Sequence, residues 1–135
     1  MLRRLINWPK LILTAMLALS SVIVGCHQSA DPALTAALTA ALTAVKQGAV
    51  LIDVRADSEF QSGHLAGAIN MPHTTIVDQA TRAGFAQDRD IVVYCRSGNR
   101  SGIAKASLEA AGFSRVTNAG AYEDLLRLQT AGAAP

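Results

Sequence analysis

The chain has 135 residues, half of them apolar, with 12 Lys and Arg against 10 Asp and Glu and a net charge of +2. Three of the basic residues, Arg3, Arg4 and Lys10, lie within the first ten, which leaves nine bases against ten acids elsewhere. The basicity is thus confined to one short segment and argues against a nucleic-acid partner. From Leu11 to Val24 there is no charge at all. A basic start followed by a short apolar run is the layout of a secretory signal peptide, and the run is shorter than the roughly 20 residues a membrane span needs.

The run ends in Ile23-Val24-Gly25-Cys26, which resembles the lipobox of bacterial lipoproteins. That resemblance implies cleavage before Cys26, a lipid on its sulfur, and a periplasmic protein tethered to a membrane. His27 stands where an aspartate would resemble an inner-membrane retention signal, so the outer membrane is favoured. An ordinary cleaved signal and an uncleaved anchor are the alternatives, but the small-residue cleavage pattern is poorly met around Ala30, because Gln28 occupies the wrong place. The chain divides into residues 1–25 as signal, 26–47 as lipidated N-terminus, tether and short helix, 48–130 as one domain, and 131–135 as tail. With Cys26 committed to lipid, Cys95 is the one remaining thiol, with no disulfide partner in an oxidising compartment.

From Ala33 to Ala44 the chain repeats Ala-Leu-Thr-Ala three times, which puts Leu34, Leu38 and Leu42 on one helical face with Val45 nearby. The spacing predicts an amphipathic helix over 33–46; a featureless tether is the alternative. Residues 49–54 form a continuous apolar run that predicts a strand buried on both faces. A helical turn follows at 57–60, a short strand at 68–71 before Pro72, and a helix over 74–83. Residues 90–95 are rich in β-branched side chains and predict the clearest strand. A helix over 101–111, a strand over 115–117 and a helix over 122–129 complete the alternation. Strands alternating with helices predict an α/β fold, a central parallel sheet flanked by helices on both faces.

In such a sheet, ligands bind where strands end and helices begin. Cys95 stands at that point, followed by Arg96, Ser97, Gly98, Asn99, Arg100 and Ser101. Gly98 and Asn99 tolerate positive φ, so the loop is expected to curl into a bowl of inward N–H groups at a helix N-terminus. With the charges of Arg96 and Arg100, this favours a thiolate over a thiol and would cradle an incoming anion or a persulfide. Asp53 ends a buried strand and is expected to have a partner. Arg55 is expected to pair with Asp57 or Glu59. No His/Cys spacing suggests a metal, and the chemistry calls for no cofactor.

Three segments in order carry a resemblance that covers about residues 48–128. They are Leu51-Ile52-Asp53-Val54-Arg55 with Glu59-Phe60 and Gly63 to Pro72, then Val92 to Ser101, then Asn118-Ala119-Gly120-Ala121-Tyr122. Together they resemble the rhodanese-homology family in its small single-domain, periplasmic form. The resemblance implies a thiosulfate sulfurtransferase in which Cys95 takes the outer sulfur of thiosulfate as a persulfide and passes it to cyanide or a thiol. It implies that the amides from Arg96 to Ser101 hold substrate and persulfide, that Arg96 and Arg100 draw in the anion, and that Asp53 and Arg55 support the site from behind. His64, in a turn resembling a structural element of the family, is not expected to be catalytic. A monomer is expected. Ala121 stands where the family commonly has glycine, and Tyr122 where it often has tryptophan, which puts donor preference in question.

Two other functions fit the same residues. A persulfide carrier or sulfur-binding regulatory module for a protein partner would carry the same cysteine. A cysteine phosphatase or arsenate reductase also sets Cys and Arg on an anion loop, but resembles a spacing of five residues, whereas four separate Cys95 from Arg100.

Overall fold

The computed structural model describes residues 31–132. The signal segment and Cys26 therefore lie outside the described residues. Four strands, β1 (Val50–Asp53), β2 (Ile69–Asn70), β3 (Ile91–Cys95) and β4 (Val116–Ala121), form one sheet in the order β2-β1-β3-β4. All three pairings are parallel. Five helices connect or flank them: α1 (Pro32–Lys46), α2 (Asp57–Gln61), α3 (Ile76–Arg82), α4 (Asn99–Ala110) and α5 (Tyr122–Ala131).

The pleat of β3 sorts the core. Ile91, Val93 and Cys95 point into a cluster with Ile76 and Ala80 of α3 and Ala104 and Leu108 of α4. Val92 and Tyr94 point the other way, to Leu38 and Ala41 of α1 and Leu125 of α5. Successive side chains of a strand face opposite sides, so a strand buried at all five positions needs helices on both faces, and it has them. The α/β architecture expected from the alternation is the one observed.

The elements fall close to their expected places, with differences that have local causes. Helix α1 packs on the domain rather than trailing as a tether, but through Leu38 and Ala41, while Leu34 is exposed. A four-residue step drifts about 40° around a helix, so three leucines so spaced do not share one contact line. Helix α4 begins two residues earlier than its apolar spacing indicates, with Gly98 at the N-cap in the left-handed region, φ 91°.

Strand β4 runs well past the expected 115–117, although Asn118, Ala119 and Gly120 are poor strand formers. Its pairing with β3 holds it: Val93 lies beside Asn118 but Cys95 beside Ala121, so two steps on β3 face three on β4. The extra residue is a bulge. It brings the end of β4 against the segment that follows β3, where Gly120 Cα approaches Gly98.

Candidate active site

The loop after β3 turns directly into α4, so Cys95 ends a central strand and faces the first turn of a helix. Its sulfur is buried and is the only free thiol among the described residues. Gly98 N–H donates to Sγ at 3.1 Å, and the Ser101 hydroxyl lies 3.5 Å from it. Gly98 can supply its amide because it holds φ 91°, a conformation that costs a residue with a Cβ about 1 kcal/mol or more.

Burial is the largest influence on this thiol, and it opposes ionisation. The Ser101 hydroxyl and the main-chain amides of Ser101, Ser97 and Gly98 act the other way, and together they hold the pKa below its ordinary value. The bowl anticipated from the sequence is present, with two corrections. Asn99 has no positive φ; Gly98 alone makes the turn, and Asn99 is already the first residue of α4. The second concerns the arginines. Arg100 does interact with the Cys95 sulfur, but its charge is shared, because Glu59 of α2 takes both its amino groups, at 2.6 and 2.9 Å. Arg96 is exposed and forms no ion pair among the described residues.

The pairing of Glu59 with Arg100 carries no sequence signal, because 41 residues separate them and only the parallel order of β1 and β3 brings α2 beside α4. Its carboxyl is held down at about 2, first by the hydrogen bonds from Arg100 and against some desolvation. Glu59 also accepts the Ala56 amide at the start of α2, which ties the helix end to the loop.

Behind the loop, Asp53 does find the partner its burial requires, but that partner is Arg55. Arg55 Nε lies 3.0 Å from both carboxylate oxygens, and Nη2 donates at 2.6 Å. The expected pairing of Arg55 with Asp57 or Glu59 is therefore incorrect. The chain bends straight after β1, which swings the guanidinium back onto the strand's last carboxylate; the Arg55 amide donates to the same group. The guanidinium also donates to Gly63 O at 2.6 Å and lies 4.3 Å from the Tyr122 ring centre. Tyr122 thus supports the pair with its aromatic face. Tyr94, behind them, receives the Leu65 amide on its hydroxyl, and burial pushes its pKa far above the ordinary value.

Ala121 takes an extended conformation (φ −94°), while the positive φ of this turn falls on Gly120 (φ 77°). The alanine is therefore unstrained. His64 is exposed, stacked on Phe60 at 3.8 Å and bonded to the Phe60 carbonyl, which fits a turn-holding role. Among the described residues, no group of three or more His, Cys, Asp or Glu is placed to hold a metal ion.

A family model described as a rhodanese-like domain matches residues 37–124. Thiosulfate sulfurtransferase PspE of Escherichia coli is 36% identical over 74 residues, which are 55% of this chain and 71% of that protein. Thiosulfate sulfurtransferase GlpE of Pseudomonas savastanoi pv. phaseolicola is 41% identical over 71 residues, 53% of this chain and 65% of that protein. A solved structure described as a rhodanese with anions from E. coli superposes with a TM-score of 0.54 at 35% identity. It covers 57% of this chain and 91% of its own.

Proposed function

The chain belongs to the rhodanese-like family, and on that premise we propose that it is a thiosulfate sulfurtransferase working through a persulfide on Cys95. The observation that carries the reading is the sulfur itself, faced by the Gly98 amide at 3.1 Å and the Ser101 hydroxyl at 3.5 Å, with its pKa lowered despite burial. The relatives named as thiosulfate sulfurtransferases support the substrate.

The Cys95 thiolate attacks the outer sulfur of thiosulfate. A bond forms between Sγ and that sulfur, the bond to the sulfonate sulfur breaks, and sulfite leaves with the electron pair. The negative charge moves from Sγ to the terminal sulfur of the persulfide. Amides of Ser97, Gly98 and Ser101 already point at this locality, so the charge meets fixed donors without reorganisation. Cyanide or a thiolate then attacks the terminal sulfur, and the electron pair of the broken S–S bond returns to Sγ. Arg96, exposed and without an ion pair among the described residues, is the residue that draws in the dianion; Arg100, held by Glu59, shapes the loop.

Intact mass of the purified chain after incubation with thiosulfate tests this. The expected result is a gain of one sulfur atom on the Cys95 peptide that cyanide removes as thiocyanate. A gain that cyanide leaves in place would turn the reading to a carrier serving a protein acceptor. Absence of any gain, with the chain folded and Cys95 reduced, would sink the thiosulfate reading.

We also propose export and lipid attachment at Cys26, supported by the uncharged run Leu11–Val24 and the Ile23-Val24-Gly25-Cys26 sequence. Labelled fatty acid should enter the wild-type chain in its host and fail to enter Cys26→Ser; equal labelling of both would refute the assignment.

A further inference from the structure

Ser101 Oγ lies 3.0 Å from the Gly98 carbonyl oxygen and 3.5 Å from Cys95 Sγ. A serine hydroxyl has one proton, so it can donate to one of these acceptors at a time. The shorter contact is the carbonyl, and a buried hydroxyl does not abandon an acceptor that would be left unsatisfied. Here the carbonyl has further donors. Gly102 N–H reaches it at 3.0 Å as the first-turn bond of α4, and Asn118 Nδ2 reaches it at 3.3 Å from β4. The Asn118 side chain is itself fixed, because its Oδ1 accepts the Gly120 amide at 2.9 Å. Asn118 is an exposed residue and could satisfy its amide with water, so its placement serves the loop more than its own solvation.

We propose that Asn118 is a positioning residue: by holding the Gly98 carbonyl it releases the Ser101 hydroxyl to donate to the Cys95 sulfur when that sulfur carries charge. The inference rests on the reading of Cys95 as the nucleophile and deepens it. In the resting thiol the Ser101 proton points to Gly98. As charge develops on Sγ, before attack and again when an acceptor strips the persulfide, the hydroxyl turns about its Cβ–Oγ bond to the sulfur. The carbonyl it leaves keeps Gly102 and Asn118. The regular pairing of β3 with β4 sets the asparagine beside Val93, the last in-step pair before the bulge.

The test is the pH dependence of Cys95 alkylation by iodoacetamide in the full chain, followed on the Cys95 peptide so that Cys26 does not contribute. Four proteins are compared: wild type, Ser101→Ala, Asn118→Ala and the double variant. The charged groups on the surrounding elements are Arg96, Arg100, Glu59, Asp53 and Arg55, and all four proteins keep them. Ser101→Ala is expected to raise the alkylation midpoint by about one pH unit, the scale of one hydrogen bond to a charged group. Asn118→Ala should raise it by a smaller amount, and the double variant should match Ser101→Ala alone.

An Asn118→Ala midpoint equal to wild type overturns the proposal, as does a shift that persists in full without the Ser101 hydroxyl. Should Asn118→Ala unfold, Asn118→Asp keeps the acceptor for Gly120, removes the donor and adds a charge that acts on the sulfur with or without the Ser101 hydroxyl. The part of its shift that disappears in the Ser101→Ala background is then the quantity that decides. Alkylation needs no sulfur donor, so a failure of thiosulfate turnover and a failure of this coupling are separate results.

Discussion

Two arginine–carboxylate pairs flank the loop, and their chemistry is alike while their surroundings differ. Asp53–Arg55 closes at 2.6 Å with its side chains 0% and 7% exposed; Glu59–Arg100 closes at the same distance with about a third of each side chain in water. In the first pair neither ion can return to solvent, so each exists only because the other does, and the Gly63 carbonyl and Tyr122 ring occupy the remaining surface of the guanidinium. In the second pair water competes at every moment. One pair is a strut of the fold and the other an adjustable electrostatic contact, although a list of ion pairs would rank them equally.

The largest effect expected is on stability, from Asp53→Ala. It leaves Arg55 buried and uncompensated, a situation that costs about 3–5 kcal/mol. Denaturant unfolding should show that loss, with turnover per folded molecule largely kept. A loss below about 1 kcal/mol would erase the distinction between the pairs.

Glu59→Gln should cost under about 1 kcal/mol, as exposed pairs do. Its main consequence is electrostatic. Arg100 becomes free to meet the dianion, so KM for thiosulfate should fall a few-fold at low salt while kcat stays near wild type, and the difference should fade as salt rises. The stability contribution of Glu59 also has a defined acid window. Its folded pKa, about 2, lies below the ordinary 4.5, so its contribution is fully present above pH 4.5 and is lost as pH falls towards 2. Wild type and Glu59→Gln should therefore converge in acid unfolding below that window; a gap that stays constant through it would contradict the pairing.

Arg96→Ala should be the mildest change, within about 0.5 kcal/mol in stability. It should lower kcat/KM for thiosulfate and flatten its salt dependence, since the residue acts on the approach of the anion. Unchanged salt dependence would hand the steering role to another group.

Much of this arrangement is legible in the chain. The runs 49–54 and 90–95 announce buried strands, and the position of Cys95 between strand and helix announces the loop. Burial alone demands a partner for Asp53. The partner's identity is less legible, because Arg55 folds back across two residues at a bend, a geometry no periodicity encodes. Glu59 with Arg100, and Asn118 with the Gly98 carbonyl, are hidden for a different reason. Each joins segments that only the strand order brings together, 41 and 20 residues apart. The left-handed residue is legible in kind but not in position: glycine makes the turn at 98, not Asn99, and at 120, one residue before Ala121.

The bulge between β3 and β4 also divides the chain by its tolerance to changes of length. An added or lost residue among the exposed positions 86–89 disturbs the Gln87 and Arg89 contacts to Ser114 and Gly48 but no buried side chain. One lost at Ala119 or Gly120 would put the two strands in step, turn the last residues of β4 to the opposite face and remove the close approach of Gly120 to Gly98. Single-residue deletions scanned along the domain and scored for folding should pass in the first stretch and fail in the second, so the molecule keeps its length most strictly at a place where no side chain touches the sulfur.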